Sequence, residues 1–212
     1  MTKIVFIGDS VTDVGRSREP DFADCGNKLL GNGYPALVTA RLLRDFPLEN
    51  IVCFNRGISG DRVLNLYARW RMDALNLQPD VLSILIGVND TWHGKKWNTG
   101  VSVERYGRVY RELLSWSQEE LPSLKLMLME PFVLPFGVVE DDWPPEMAER
   151  QAIVRQLAKD FKTGFVPCQD ILNEACRHIA PQEHWLLDGV HPTLAGHQLL
   201  ADAWLQEYAK IK

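Results

Sequence analysis

The apolar run Ile4-Val5-Phe6-Ile7 is followed at once by Gly8-Asp9-Ser10, and a serine hydroxyl is one of the few side-chain groups that can act as a nucleophile. A hydroxyl on the sharp turn leaving a strand is presented at the carboxyl edge of the sheet, within reach of a substrate. The same three residues are an ordinary turn composition, in which Ser10 would only cap a helix. A base must accompany the hydroxyl, and Asp188-Gly189-Val190-His191-Pro192 puts a carboxylate three residues before an imidazole. On one loop, Asp188 can accept from one ring nitrogen of His191 and hold the tautomer whose other nitrogen accepts a proton. Donors for a developing oxyanion come from two further segments. Asn55-Arg56-Gly57-Ile58-Ser59-Gly60-Asp61 has the glycines for a tight backbone with an N–H aimed into a cleft, and Asp61 is placed to cap a helix starting near Val63. Gly87-Val88-Asn89-Asp90 offers a side-chain amide. Each segment alone reads as turn chemistry.

What joins them is the pattern of elements. Short β-rich apolar runs at 3–7, 50–55, 81–86, 125–129 and 164–167 alternate with longer amphipathic stretches, as in a parallel sheet with crossover helices. Tyr34, Val38, Leu42 and Phe46 recur every four residues. Helical faces follow at Leu64, Ala68, Met72 and Leu75, at Tyr106, Val109, Tyr110 and Leu113, and at Met147, Val154, Leu157 and Phe161. Asp170 is placed to cap a short helix to His178, and Thr193 a final one carrying Leu199, Leu200 and Trp204. Three of the four chemical segments therefore fall at carboxyl ends of strands and the fourth just before the last helix, which converges them on one edge. Ligands of open α/β sheets sit there. The stretches 13–33 and 131–145 lack periodicity and read as long loops, candidate walls of a cleft or of a subunit interface.

The chain has 212 residues, which argues for a single domain spanning 1–212. With 23 Lys and Arg against 28 Asp and Glu, the net charge is −5, and the longest basic run is the pair Lys95-Lys96. A surface that tracks phosphates is not expected, nor is nucleic acid as a partner. No apolar run approaches a membrane span. Met1 leads directly into the first apolar run with no secretory signal pattern, so the expectation is a cytoplasmic protein with no membrane partner. Cys25, Cys53, Cys168 and Cys176 are widely spaced and read as reduced thiols. No clustered ligands suggest a metal, and no cofactor is expected.

Taken together, the segments Gly8-Asp9-Ser10, Ile58-Ser59-Gly60, Gly87-Val88-Asn89-Asp90 and Asp188-Gly189-Val190-His191-Pro192 resemble the four blocks of the SGNH (GDSL) hydrolase superfamily. The resemblance spans 8–192. It implies a flavodoxin-like three-layer α/β/α sandwich around a five-stranded parallel sheet. It also implies Ser10 as nucleophile, His191 and Asp188 as the rest of a triad, and an oxyanion hole of the Ser10 and Gly60 N–H groups with the Asn89 amide. Asn55-Arg56-Gly57-Ile58-Ser59-Gly60, Ala68-Arg69-Trp70, Ile86-Gly87-Val88-Asn89-Asp90-Thr91-Trp92 and Ala195-Gly196-His197 are most similar to intracellular bacterial acetyl-xylooligosaccharide esterases. One departure is Leu186-Leu187 before Asp188, where those esterases tend to carry an aromatic residue. The implied reaction is hydrolysis of short acyl esters, acetyl above all, on small-molecule oligosaccharides.

Seven tryptophans remain to be placed. Trp70, Trp116 and Trp204 lie on helical faces and read as packing. Trp92 and Trp97 follow the Asn89 segment and Trp185 precedes Asp188, so these three either flank the cleft and stack on a sugar or enrich a homo-oligomer interface. His93 lies close enough to Asn89 to meet substrate; His178 and His197 read as structural or surface residues. Asp9, Asp13 and Asp90 read as turn and cap residues. Two other functions fit parts of this pattern. A lysophospholipase or acyl-thioesterase would use the same triad with a longer apolar channel. A nucleotide-binding module would need more than the lone Gly31-Asn32-Gly33.

Overall fold

The computed structural model describes residues 1–18 and 26–212. Glu19, Asp21, Asp24 and Cys25 of the irregular 13–33 stretch lie outside them. Five parallel strands form one sheet: β1 (Thr2–Gly8), β2 (Ile51–Asn55), β3 (Val81–Leu85), β4 (Lys125–Met129) and β5 (Gly164–Val166), in the order β2-β1-β3-β4-β5. Each strand lies within about two residues of its predicted run, because a strand buried on both faces must be a continuous apolar stretch. The described helices are α1 (Ser10–Asp13), α2 (Tyr34–Asp45), α3 (Val63–Asp73), α4 (Val88–Trp97), α5 (Val103–Glu120), α6 (Trp143–Phe161), α7 (Cys168–His178), α8 (Gln182–Trp185) and α9 (Leu194–Ile211).

Strand residues alternate between two cores. Ile4 and Phe6 of β1 and Met127 and Met129 of β4 pack under α2, α7 and α9. Val5, Ile7, Leu126 and Leu128 pack under α3, α5 and α6. Each layer buries an indole whose N–H is satisfied: Trp204 donates to the Ser83 hydroxyl at 2.9 Å and Trp70 to that of Ser117 at 3.0 Å. A buried indole without such a partner would forfeit about 1–3 kcal/mol.

Three local expectations fail for identifiable reasons. Asp61 does not cap α3; its carboxylate takes the Arg69 guanidinium at 2.8 Å, and Arg62 stands at the cap position. Asp170 does not cap α7, which begins two residues earlier after Pro167, and faces Arg155 instead. The irregular 131–145 stretch ends at Asp142, since Pro144 and Pro145 open α6, where a missing N–H costs nothing. Thr193 does cap α9, accepting from the Gly196 N–H at 3.1 Å. Among the described residues, no helix is long and apolar enough to cross a membrane.

The order in which strands are added switches sides at β1, whose parallel neighbours are β2 and β3. The crevice at such a switch point lies beyond the carboxyl ends of β1 and β3. Ser10 follows the first and Asn89 the second.

Candidate active site

Gly8 ends β1 where only a hydrogen fits, since a Cβ there would stand 2.2 Å from the Leu85 carbonyl of β3 and 2.5 Å from the Thr12 hydroxyl. The chain turns straight into α1, with Asp9 as its cap accepting the Val11 N–H at 3.0 Å. That single turn points the Ser10 hydroxyl across the crevice, where it lies 2.9 Å from Nε2 of His191. Nδ1 of His191 lies 2.8 Å from Oδ2 of Asp188. Burial pushes the Asp188 carboxyl up. The His191 backbone N–H at 2.8 Å, the imidazole and the Val190 N–H at 3.0 Å outweigh it and hold that carboxyl below its usual range. Asp188 is therefore ionised at neutral pH.

The loop bearing this pair is propped by the 131–142 stretch. Leu134 N–H donates to the Gly189 carbonyl and Val138 N–H to that of Asp188, each at 2.9 Å. The two segments interlock through glycines: Gly189 has φ +89° and a Cβ there would meet the Phe136 carbonyl at 2.3 Å. From the other side, Leu187 N–H donates to the His191 carbonyl at 2.7 Å. The irregular stretch thus supports the histidine loop, a role no local sequence signal carries.

The Asn55–Asp61 segment is stitched to the α1 turn. The Asn55 amide donates to the carbonyls of Thr12 at 2.6 Å and Leu30 at 2.8 Å and accepts from the Gly57 N–H at 2.9 Å. Asp13 Oδ2 takes both the N–H and the hydroxyl of Ser59, at 3.0 and 2.9 Å. Gly60 follows with φ +87°, a backbone that turns its amide in a way L side chains resist. Asn89 is buried in the first turn of α4 and spends one amide hydrogen on the Asp61 carbonyl at 3.1 Å. The second hydrogen is left to point elsewhere. Burial pushes Asp9 and Asp90, beside Ser10 and Asn89, up to about 7 each.

The aromatic residues divide. The Trp92 ring lies 5.8 Å from that of His191 and 5.4 Å from that of Trp143. His93 lies beside Gly60, with Cε1 4.0 Å from where a Cβ on that glycine would be. Trp185 is not at the cleft: it packs in the α2/α9 core with its N–H donated to the Ala180 carbonyl at 3.1 Å, so it has no face for a substrate. Trp97, by contrast, is 54% exposed. A wider hollow of about 680 Å³, lined by Arg41, Phe46 and Lys212 among others, lies by the C-terminal ends of α2 and α9, at the opposite edge of the sheet from Ser10. Among the described residues, no group of three or more His, Cys, Asp or Glu side chains could hold a metal.

His197 is buried and structural. Gly33 opens α2 without a capping side chain, and Nδ1 of His197 takes the Tyr34 N–H at 3.3 Å in its stead. Burial, aided by His191, pushes His197 down to about 4. A histidine neutral in the folded state and protonated in the unfolded one stabilises fully above about 6.5. That stability is lost as pH falls from there through 4. The stability of the wild type relative to a His197→Asn variant is therefore expected to be constant above pH 6.5 and to shrink down to pH 4. Parallel denaturant-unfolding curves across that range would overturn this.

The GDSL-like Lipase/Acylhydrolase family model matches residues 6–199. An acetylxylan esterase from Geobacillus stearothermophilus is 36% identical over 211 residues, 97% of this chain and 93% of that one. The crystal structure of Axe2, an acetylxylan esterase from the same organism, superposes with a TM-score of 0.85 at 34% identity, covering 97% of this chain and 93% of that one. Other structures of Axe2 carry catalytic mutations replacing a serine, an aspartate or a histidine with alanine. A GDSL lipase-like protein from Parabacteroides merdae superposes with a TM-score of 0.93 at 40% identity, covering 98% of this chain and 95% of its own.

Proposed function

The chain belongs to the GDSL-like lipase/acylhydrolase family and is a carboxylic ester hydrolase; from that premise we propose that it removes acetyl groups from oligosaccharides through a Ser10–His191–Asp188 triad and an acyl-enzyme. The observation that carries the triad is the unbroken relay of 2.9 Å from Ser10 to His191 and 2.8 Å from His191 to Asp188. The serine, aspartate and histidine mutated in Axe2 are the same three residue types. The acetyl and sugar halves rest on the acetylxylan esterase relative.

In this reading neutral His191 accepts the Ser10 proton through Nε2 as Oγ attacks the ester carbonyl carbon. The carbonyl electron pair moves onto oxygen, which the Ser10 and Gly60 N–H groups and the free hydrogen of the Asn89 amide receive. The intermediate collapses as the C–O bond to the sugar breaks, and His191 returns the proton to the departing sugar oxygen. Water then attacks the acetyl-enzyme with His191 again as base, and acetate and the Ser10 hydroxyl are released.

Short acyl chains suit the apolar space beside the nucleophile. Val88 and Val190, next to Asn89 and His191, are packed with Val133, Val139, Trp143 and Met147 rather than lining a groove. A cavity behind the Ser10 turn, walled by Val11, Val88 and Phe132, measures about 10 Å³. An octanoyl tail would bury six more methylenes than acetyl, each returning about 0.8 kcal/mol only if it finds an apolar wall. The expected result is that kcat/KM falls from acetyl to octanoyl along a p-nitrophenyl ester series, and that acetate is released from acetylated xylobiose. A rise with chain length and no acetate from the sugar would favour the lysophospholipase or thioesterase reading.

A further inference from the structure

We infer that Trp97 is a specificity-determining residue, the platform on which a sugar unit next to the acetylated one stacks. The inference rests on the proposed oligosaccharide deacetylation. Asn89, His93 and Trp97 stand at i, i+4 and i+8 of α4, so they share one face of that helix. At 1.5 Å per residue, each step is about 6 Å, which puts Trp97 about 12 Å along the axis from Asn89. That separation suits a ring one or two units beyond the ester, since a pyranose unit extends a chain by about the length of one such step.

The stripe starts in the proposed oxyanion hole and runs outward. His93 Cε1 lies against Gly60, and the His93 and Trp97 rings meet edge to face with centroids 4.9 Å apart. Burial and the nearby Arg62 both lower the His93 pKa, favouring the neutral imidazole a neutral sugar calls for. Trp97 itself is 54% exposed, with the Lys96 ammonium over its ring at 5.1 Å from the ring centre. A sugar stacks on the indole surface the ammonium leaves open, its apolar face on the ring carbon and its hydroxyls toward the His93 imidazole.

The platform is also fixed in place relative to the reacting centre. Asn98 closes α4 with φ +53°, and the next residue, Thr99, donates its N–H to the His93 carbonyl at 3.0 Å. The Arg62 guanidinium, two residues past Gly60, donates to the Thr99 carbonyl.

The test compares acetylated xylotriose with acetylated xylose as the ratio of their kcat/KM values. The wild type is expected to prefer the trisaccharide. In Trp97→Ala that ratio should fall by about 3- to 10-fold, the scale of one aromatic stacking contact, and Trp97→Phe should restore most of it. A ratio of one in the wild type, or an unchanged ratio in Trp97→Ala, would overturn the inference. Hydrolysis of p-nitrophenyl acetate without release of acetate from any sugar would remove the oligosaccharide half of the proposed function, on which the inference rests. Inertness toward every ester would instead remove the proposed function itself.

Discussion

Ser10→Ala is expected to lower kcat for p-nitrophenyl acetate by about 10⁶-fold, the cost of deleting the nucleophile from a serine–histidine–aspartate unit. The variant should fold. The Ser10 hydroxyl makes a single described hydrogen bond, to His191. The turn that carries it is held by other atoms: the Asp9 carboxylate on the Val11 N–H, and the Ser10 carbonyl on the Val14 N–H at 3.2 Å. Loss of one such bond changes stability by about 1 kcal/mol. Thermal unfolding of the variant should therefore lie close to that of the parent, while turnover vanishes. A folded variant retaining more than a thousandth of the parental rate would show that another group attacks the ester.

The sheet was legible because each strand is buried on both faces and must be apolar along its length. The helix that carries Asn89 was not. Val88–Trp97 contains Asn, Asp, Thr and Gly, poor helix formers without a repeating apolar face. It forms because tertiary partners claim its polar residues: Asp90 accepts the Val63 N–H at 3.1 Å, and Thr91 takes the fully buried Arg150 at 2.9 Å. The residues of the four chemical segments could be named from the sequence because three segments sit where strands end and the fourth just before the last helix, and the structure brings Ser10, His191 and Asp188 within hydrogen-bond distance. Their supports could not. The close approaches of Gly137 to Asp188 and of Gly189 to Phe136 join segments about 50 residues apart, and neither glycine announces its partner. Trp185 misled for the opposite reason. Nearness in sequence to Asp188 says nothing of direction, and α8 turns its indole into the core.

Asp188→Asn offers the sharper test of mechanism, because it changes one proton while keeping the loop. Oδ1 of Asp188 holds the backbone N–H groups of Val190 and His191, and an asparagine carbonyl can keep both. The other oxygen faces His191 Nδ1, and in asparagine an NH₂ stands there. An NH₂ can only donate, so Nδ1 must give up its hydrogen and accept. The proton then sits on Nε2, which becomes a donor to Ser10 where a base is needed. The carboxylate charge that would stabilise the imidazolium is lost as well. Turnover is expected to fall about 10⁴-fold with the fold intact, the size of the same substitution in serine proteases. A merely structural aspartate predicts another outcome. Its replacement by asparagine, with both backbone hydrogen bonds kept, would leave the rate within tenfold of the parent, and that result would reduce Asp188 to a turn residue.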